Sequence, residues 1–113
     1  MSVSHITTHV LDTGSGRPAA GIAVGLHHLD AGRWVQLATG STDADGRVKN
    51  LGPEQVPSGT YRLEFDTGSY FAATKTESFF PEVTLTFGVD EQQPHYHVPL
   101  LLSPFAYSTY RGS

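Results

Sequence analysis

The chain has 113 residues, of which 38% are hydrophobic and 16% charged, a size and composition that suit one domain, residues 1–113, with a buried core and exclude a charge-rich disordered chain. Seven Lys and Arg against eleven Asp and Glu give a formal charge of -4, so no basic stripe is available to neutralise phosphates and neither nucleic acid nor an anionic membrane is an expected partner. Cysteine is absent, which excludes disulfides, thiolate metal sites and a cysteine nucleophile and suits a reducing compartment, so the expected location is the cytoplasm.

In chain order, residues 1–10 (MSVSHITTHV) carry no basic cluster or apolar run, so no signal peptide is expected, and no later stretch approaches membrane-spanning length. Gly, Pro, Asp and Ser recur at short intervals, at 13–16, 30–32, 43–46, 52–59, 66–69 and 88–94. Between these breakers lie apolar or alternating runs of strand length. Tyr61, Leu63 and Phe65 alternate with Arg62 and Glu64, and Val83, Leu85 and Phe87 with Thr84 and Thr86, the period-two pattern of strands with one buried face. Strands are expected near 4–12, 21–29, 33–39, 46–50, 60–65, 83–88, 95–102 and 105–111, with a short helix over 69–75 (SYFAATK). Eight short strands with turns at this spacing indicate an all-β sandwich or barrel.

The chemistry rests on histidine, of which there are six. Strand alternation puts His5, Thr7 and His9 on one face, opposite Ile6 and Val10, and puts His95, His97, Pro99 and Leu101 opposite Tyr96, Val98, Leu100 and Leu102. On the last strand Ala106, Ser108 and Tyr110 share a face, with Phe105, Tyr107, Thr109 and Arg111 on the other. Polar and titratable groups can thus meet on one sheet surface, where His9 and His97 would exchange protons near neutral pH. The bland reading is a set of surface histidines. A zinc site built from the His-x-His pair and His9 is a third reading, but neither spacing nor a nearby carboxylate favours it. Asp43-Ala-Asp45-Gly46 lacks the later glycine and closing glutamate of a calcium loop and reads as a turn, as does Gly14-Ser15-Gly16. Ser103 and Ser113 lack the context of a nucleophile elbow, and Trp34 and most of the phenylalanines read as core.

Three segments together resemble the transthyretin-like 5-hydroxyisourate hydrolases: SHITTHVLDTGSGRPAAGI near the start, TDADGR at 42–47, and FFPEVTLTF followed by HYHVPLLLSPFAYSTYRGS. The terminal Tyr110-Arg111-Gly112-Ser113 is the sharpest element, since it separates those hydrolases from the hormone-carrier transthyretins. The resemblance implies a transthyretin-like sandwich of two four-stranded antiparallel sheets with one short helix. It implies a homotetramer, a dimer of dimers, with sites in the channel where the dimers meet. The implied reaction opens the lactam of 5-hydroxyisourate to 2-oxo-4-hydroxy-4-carboxy-5-ureidoimidazoline, a step of urate breakdown that uses water and no metal or organic cofactor. His9, His97 and Arg47 are the implied catalytic residues, and His9, Arg47, Tyr110, Arg111 and Ser113 the implied substrate contacts. Alternation turns Arg111 away from Tyr110, so it acts from the edge, supports the site from behind, or sits where the strand has ended. The runner-up is a carrier that binds a small aromatic ligand in the same channel without turnover. An inert β-sandwich interaction module is a third reading, which predicts tolerance to mutation on the polar face.

Overall fold

The computed structural model describes residues 3–112. Among these residues nine strands and one helix follow one another as β1 (Ile6–Asp12), β2 (Arg17–Pro18), β3 (Ala23–Asp30), β4 (Arg33–Ser41), β5 (Arg47–Val48), β6 (Gly59–Phe65), α1 (Thr67–Ala73), β7 (Val83–Val89), β8 (Tyr96–Leu102) and β9 (Tyr107–Thr109). Among the described residues no helix is long and apolar enough to cross a membrane.

The strands form two sheets. One is antiparallel throughout, in the order β4-β3-β6-β7. The other has the order β2-β1-β8-β9, with β5 also paired to β1. This sheet departs from the expected four antiparallel strands in two ways. First, β1 and β8 run parallel, from Ile6 opposite Tyr96 to Asp12 opposite Leu102. Second, the outer edge of β1 is shared by two short strands: β5 covers Thr8 and His9, and β2 covers Leu11 and Asp12. The exchange happens at Val10, whose N–H donates to Gly46 O (2.7 Å) and whose carbonyl accepts from Ala19 N–H (3.0 Å). A Cβ at Gly46 would meet that carbonyl at 2.4 Å, so only glycine allows the two backbones to approach.

The core lies between the sheets. Ile6 and Val10 of β1, Leu100 and Leu102 of β8, Leu26 of β3 and Tyr61, Leu63 and Phe65 of β6 are all at most 1% exposed, and each such side chain stabilises the fold by roughly 1.5–3 kcal/mol. The alternation read from the sequence accounts for this, since Ile6, Thr8 and Val10 point inward with Tyr96, Val98 and Leu100. Trp34 and some phenylalanines depart from the core reading. Trp34 is half-buried with the Arg62 guanidinium 4.2 Å from its ring centre, and Phe79 and Phe105 are 70% and 60% exposed.

The helix begins two residues earlier than expected because Asp66 caps it. Its side chain accepts hydrogen bonds from Ser69 N–H (3.2 Å) and Ser69 Oγ–H (2.7 Å), which satisfies a donor left over in the first turn. Tyr70 Oη–H then donates to Asp12 Oδ2 at 2.7 Å, tying the helix to the end of β1.

Candidate active site

The outer face of the mixed sheet gathers the titratable groups named above. His9 on β1 stands opposite Arg47 on β5 in the antiparallel register. Across the parallel pair, the His9 and His97 rings face each other with centroids 6.5 Å apart and planes 26° from parallel. Both histidines are half-buried, while Arg47 is exposed. Arg47 reaches its place through the turn before it: Asp43 Oδ1 accepts from Asp45 N–H (2.9 Å) and from Arg47 N–H (3.0 Å). Those bonds, the one from Arg47 foremost, hold the Asp43 carboxyl below its usual value.

His97 is the most constrained member. Its Nδ1 lies 2.9 Å from Thr7 Oγ1, and the same hydroxyl lies 2.9 Å from His95 Nε2. Burial is the main cause that lowers the His97 pKa below its ordinary value, with Arg47, His9 and His95 acting in the same direction. His97 is therefore neutral at neutral pH, as a proton acceptor must be. The backbone of His97 also holds the end of the chain, because Gly112 N–H donates to its carbonyl at 2.8 Å. A Cβ at Gly112 would meet His97 Cδ2 at 2.7 Å, so the terminal segment lies directly against the imidazole.

The remaining expected site residues are placed differently from one another. Tyr110 is 57% exposed, and extending the register that pairs Leu101 with Ser108 puts it on the same outer face as Pro99. Arg111 is turned away: its guanidinium lies 4.7 Å from the ring centre of Tyr96, a buried residue of the opposite face of β8. It therefore lies behind the histidines, away from the surface they line, because at a flat strand end successive side chains leave on opposite faces. Ser113 falls outside the described residues. Among those described, no three His, Asp or Glu side chains are grouped to hold a metal ion.

His5 corrects the reading that placed it with the site histidines. It is 1% exposed, its Nδ1 accepts from Val56 N–H (2.9 Å), and its Nε2–H donates to Gln93 O (2.7 Å). It precedes β1 and joins two loops, so strand alternation does not apply to it. Thr7 and the Gly112 of the terminal motif touch His97 although neither can titrate. Thr7 was visible as a neighbour of the histidines on one face, but its link to His95 and His97 depends on the parallel register.

The chain matches the HIUase/Transthyretin family over residues 6–112. It is 49% identical over 109 residues to a 5-hydroxyisourate hydrolase of Salmonella dublin, an alignment covering 96% of this chain and 80% of the relative. The structure superposes on transthyretin from Sparus aurata with a TM-score of 0.91 and 38% identity, covering 96% of each chain. It superposes on Klebsiella pneumoniae 5-hydroxyisourate hydrolase with a TM-score of 0.85 and 37% identity over the whole of both chains.

Proposed function

The chain belongs to the HIUase/transthyretin family, and from that premise and the geometry of the outer sheet face we propose that it opens the lactam of 5-hydroxyisourate, with His9, His97 and Arg47 as the catalytic groups. Fold alone does not separate hydrolase from carrier, since both superpose closely on this chain. The sequence relatives favour the hydrolase. The observation that carries the site assignment is the facing pair of His9 and His97 with Arg47 next to His9 in the register.

The mechanism follows from what each group can do. Water is the nucleophile. His97 is neutral and has Nδ1 engaged by Thr7, which leaves Nε2 to take the proton as the water oxygen bonds to the lactam carbonyl carbon. A placed base of this kind contributes about 100- to 10,000-fold. Arg47, exposed and free to swing over the face, binds the planar oxygen and nitrogen edge of the substrate and stabilises the carbonyl oxygen as it becomes an oxyanion. His9, facing His97, orients the water, and the proton taken up on His97 Nε2 passes to the nitrogen as the C–N bond breaks, which returns His97 to its neutral form. Tyr110 supplies a hydroxyl that orients the substrate, and Arg111 supports that segment from behind through Tyr96. The route uses only the chain's own groups and water.

The histidines lie on a sheet face that a second layer would have to cover to exclude bulk water. This supports a homotetramer in which two dimers meet over the face. The cysteine-free sequence supports a cytoplasmic location, and residues 1–113 are read as one domain.

A stoichiometry experiment tests hydrolase against carrier. Freshly made 5-hydroxyisourate is mixed with a hundredth of an equivalent of protein and its ultraviolet decay is followed, beside a chain ending before Tyr110. Rapid loss of all the substrate with the full chain and spontaneous-rate decay with the truncated one are expected. Loss of no more than one equivalent per chain would leave a carrier.

A further inference from the structure

The Thr7 hydroxyl is 2.9 Å from His95 Nε2 and 2.9 Å from His97 Nδ1, and these are its hydrogen-bond partners among the described residues. A hydroxyl has one proton and two lone pairs, so it donates to at most one of the two imidazoles and accepts from the other or from both. If Thr7 donates to His97 Nδ1, the proton of neutral His97 is forced onto Nε2, the nitrogen that should act as base. If Thr7 donates to His95 Nε2, it accepts from His97 Nδ1–H, and Nε2 keeps its lone pair.

We propose that Thr7 and His95 are positioning residues that fix His97 in its Nδ1–H tautomer: His97 Nδ1–H donates to Thr7 Oγ1, and Thr7 Oγ1–H donates to His95 Nε2. This rests on the reading of His97 as base and extends it to two residues that need not touch substrate. In a neutral imidazole the hydrogen bond made by one nitrogen decides what the other can do. His95 is needed because a threonine hydroxyl rotates. With His95 as acceptor, its proton points away from His97; without it, the hydroxyl can turn and donate to Nδ1. The bond balance is simple. As water attacks, one water O–H bond breaks and that proton goes to His97 Nε2, while the proton on Nδ1 stays in place, donated to Thr7. The resulting imidazolium donates from both nitrogens, and the existing bond to Thr7 serves it without rearrangement.

Three other groups that can carry charge face His97: His9 from β1, Arg47 from β5 and His95 from the residue just before β8. None of them is in hydrogen-bond contact with Nδ1, which is left to Thr7. Register explains why these residues meet. In the parallel pair Thr7 is opposite His97, so both leave the same face, and His95, just before β8, reaches the Thr7 hydroxyl with its Nε2.

The test reads the tautomer on the resting protein, with no substrate present. In histidine-labelled protein, nitrogen chemical shifts distinguish protonated from unprotonated ring nitrogens. Wild-type His97 is expected as Nδ1–H, although free imidazole side chains prefer Nε2–H. Thr7→Val keeps the shape but removes the hydroxyl, and should shift His97 towards Nε2–H and lower kcat by about 10- to 100-fold with KM nearly unchanged, less than the loss of the base itself would cost. Thr7→Ser should restore the Nδ1–H form and most of kcat. His95→Leu should give the same tautomer change with Thr7 intact. A wild-type His97 found as Nε2–H, or a tautomer indifferent to Thr7→Val and His95→Leu in folded protein, would overturn the proposal. The hydrolase reading fails separately, if the wild type shows no turnover.

Discussion

Gly112→Ala should damage catalysis far more than stability. The added Cβ would lie 2.7 Å from His97 Cδ2, 3.2 Å from His97 O and 3.3 Å from His97 Cβ, whereas ordinary contact begins at 3.4 Å. The ring or the terminal segment must therefore move by about 0.7 Å, the difference between 3.4 and 2.7 Å. The ring is not free to yield, because its Nδ1 is held by Thr7 at 2.9 Å; a shift of that size would stretch the bond beyond hydrogen-bonding range. If the segment lifts instead, the 2.8 Å bond from Gly112 N–H to His97 O breaks, and Tyr110 moves with it. A misplacement near 1 Å costs about 100-fold in rate, or roughly 2.7 kcal/mol of barrier. Loss of one peripheral backbone bond costs only about 0.5–1.5 kcal/mol of stability. Steady-state kinetics on 5-hydroxyisourate beside thermal unfolding would separate the two effects. A Gly112→Ala chain with kcat/KM within threefold of wild type would refute the claim that the terminus is fitted against His97.

Histidines of the two environments should answer alanine oppositely. His5→Ala empties a buried site, strands Val56 N–H there and frees the part-buried Gln93 O, and should cost about 2–5 kcal/mol of stability by chemical unfolding; His9→Ala should leave the unfolding midpoint nearly unchanged while removing most turnover. The pKa of His97 is depressed, so its neutral form persists below the ordinary histidine value. The acid limb of the kcat/KM profile should therefore fall below pH 6.5. The same group should contribute stability that is present above its unfolded pKa and lost as pH falls through the folded one. A limb at or above 6.5 would count against His97 as the base. Tyr70 titrates at about 12, pushed up by burial first and then by Asp12. Its contribution is complete below pH 10 and lost as pH rises from 10 towards 12, a loss that should be absent in Tyr70→Phe. That variant should also be about 0.5–1.5 kcal/mol less stable at neutral pH, with kcat unaltered. Asp43→Ala should lower kcat/KM without unfolding the chain, since it frees the turn that sets Arg47.

Much of the architecture could be read from alternation, because a sheet face is a local property. Ile6, Val10, Val98 and Leu100 are inward in the sequence pattern and in the fold, and His9 and His97 are outward together. Register is different: nothing between residues 12 and 96 announces that β1 and β8 lie side by side and parallel, and the Thr7 contacts follow only from that pairing. Short strands were also hard to bound. The run near 46–50 shrank to Arg47–Val48, and the run near 105–111 to Tyr107–Thr109, because turns and the Gly112 contact take over the backbone bonds. His5 and Trp34 show the limits of reading function or burial from residue type. The histidine is a buried link between loops, and the tryptophan lies half-buried beside Arg62.

The most direct measurement is the ultraviolet decay of 5-hydroxyisourate, generated in situ by urate oxidase, with wild type, His9→Ala, His97→Ala and Arg47→Ala chains that remain folded and of wild-type assembly size. Fast decay with the wild type and near-spontaneous decay with each variant are expected. Wild-type rates in the variants would contradict the assignment of catalysis to this sheet face.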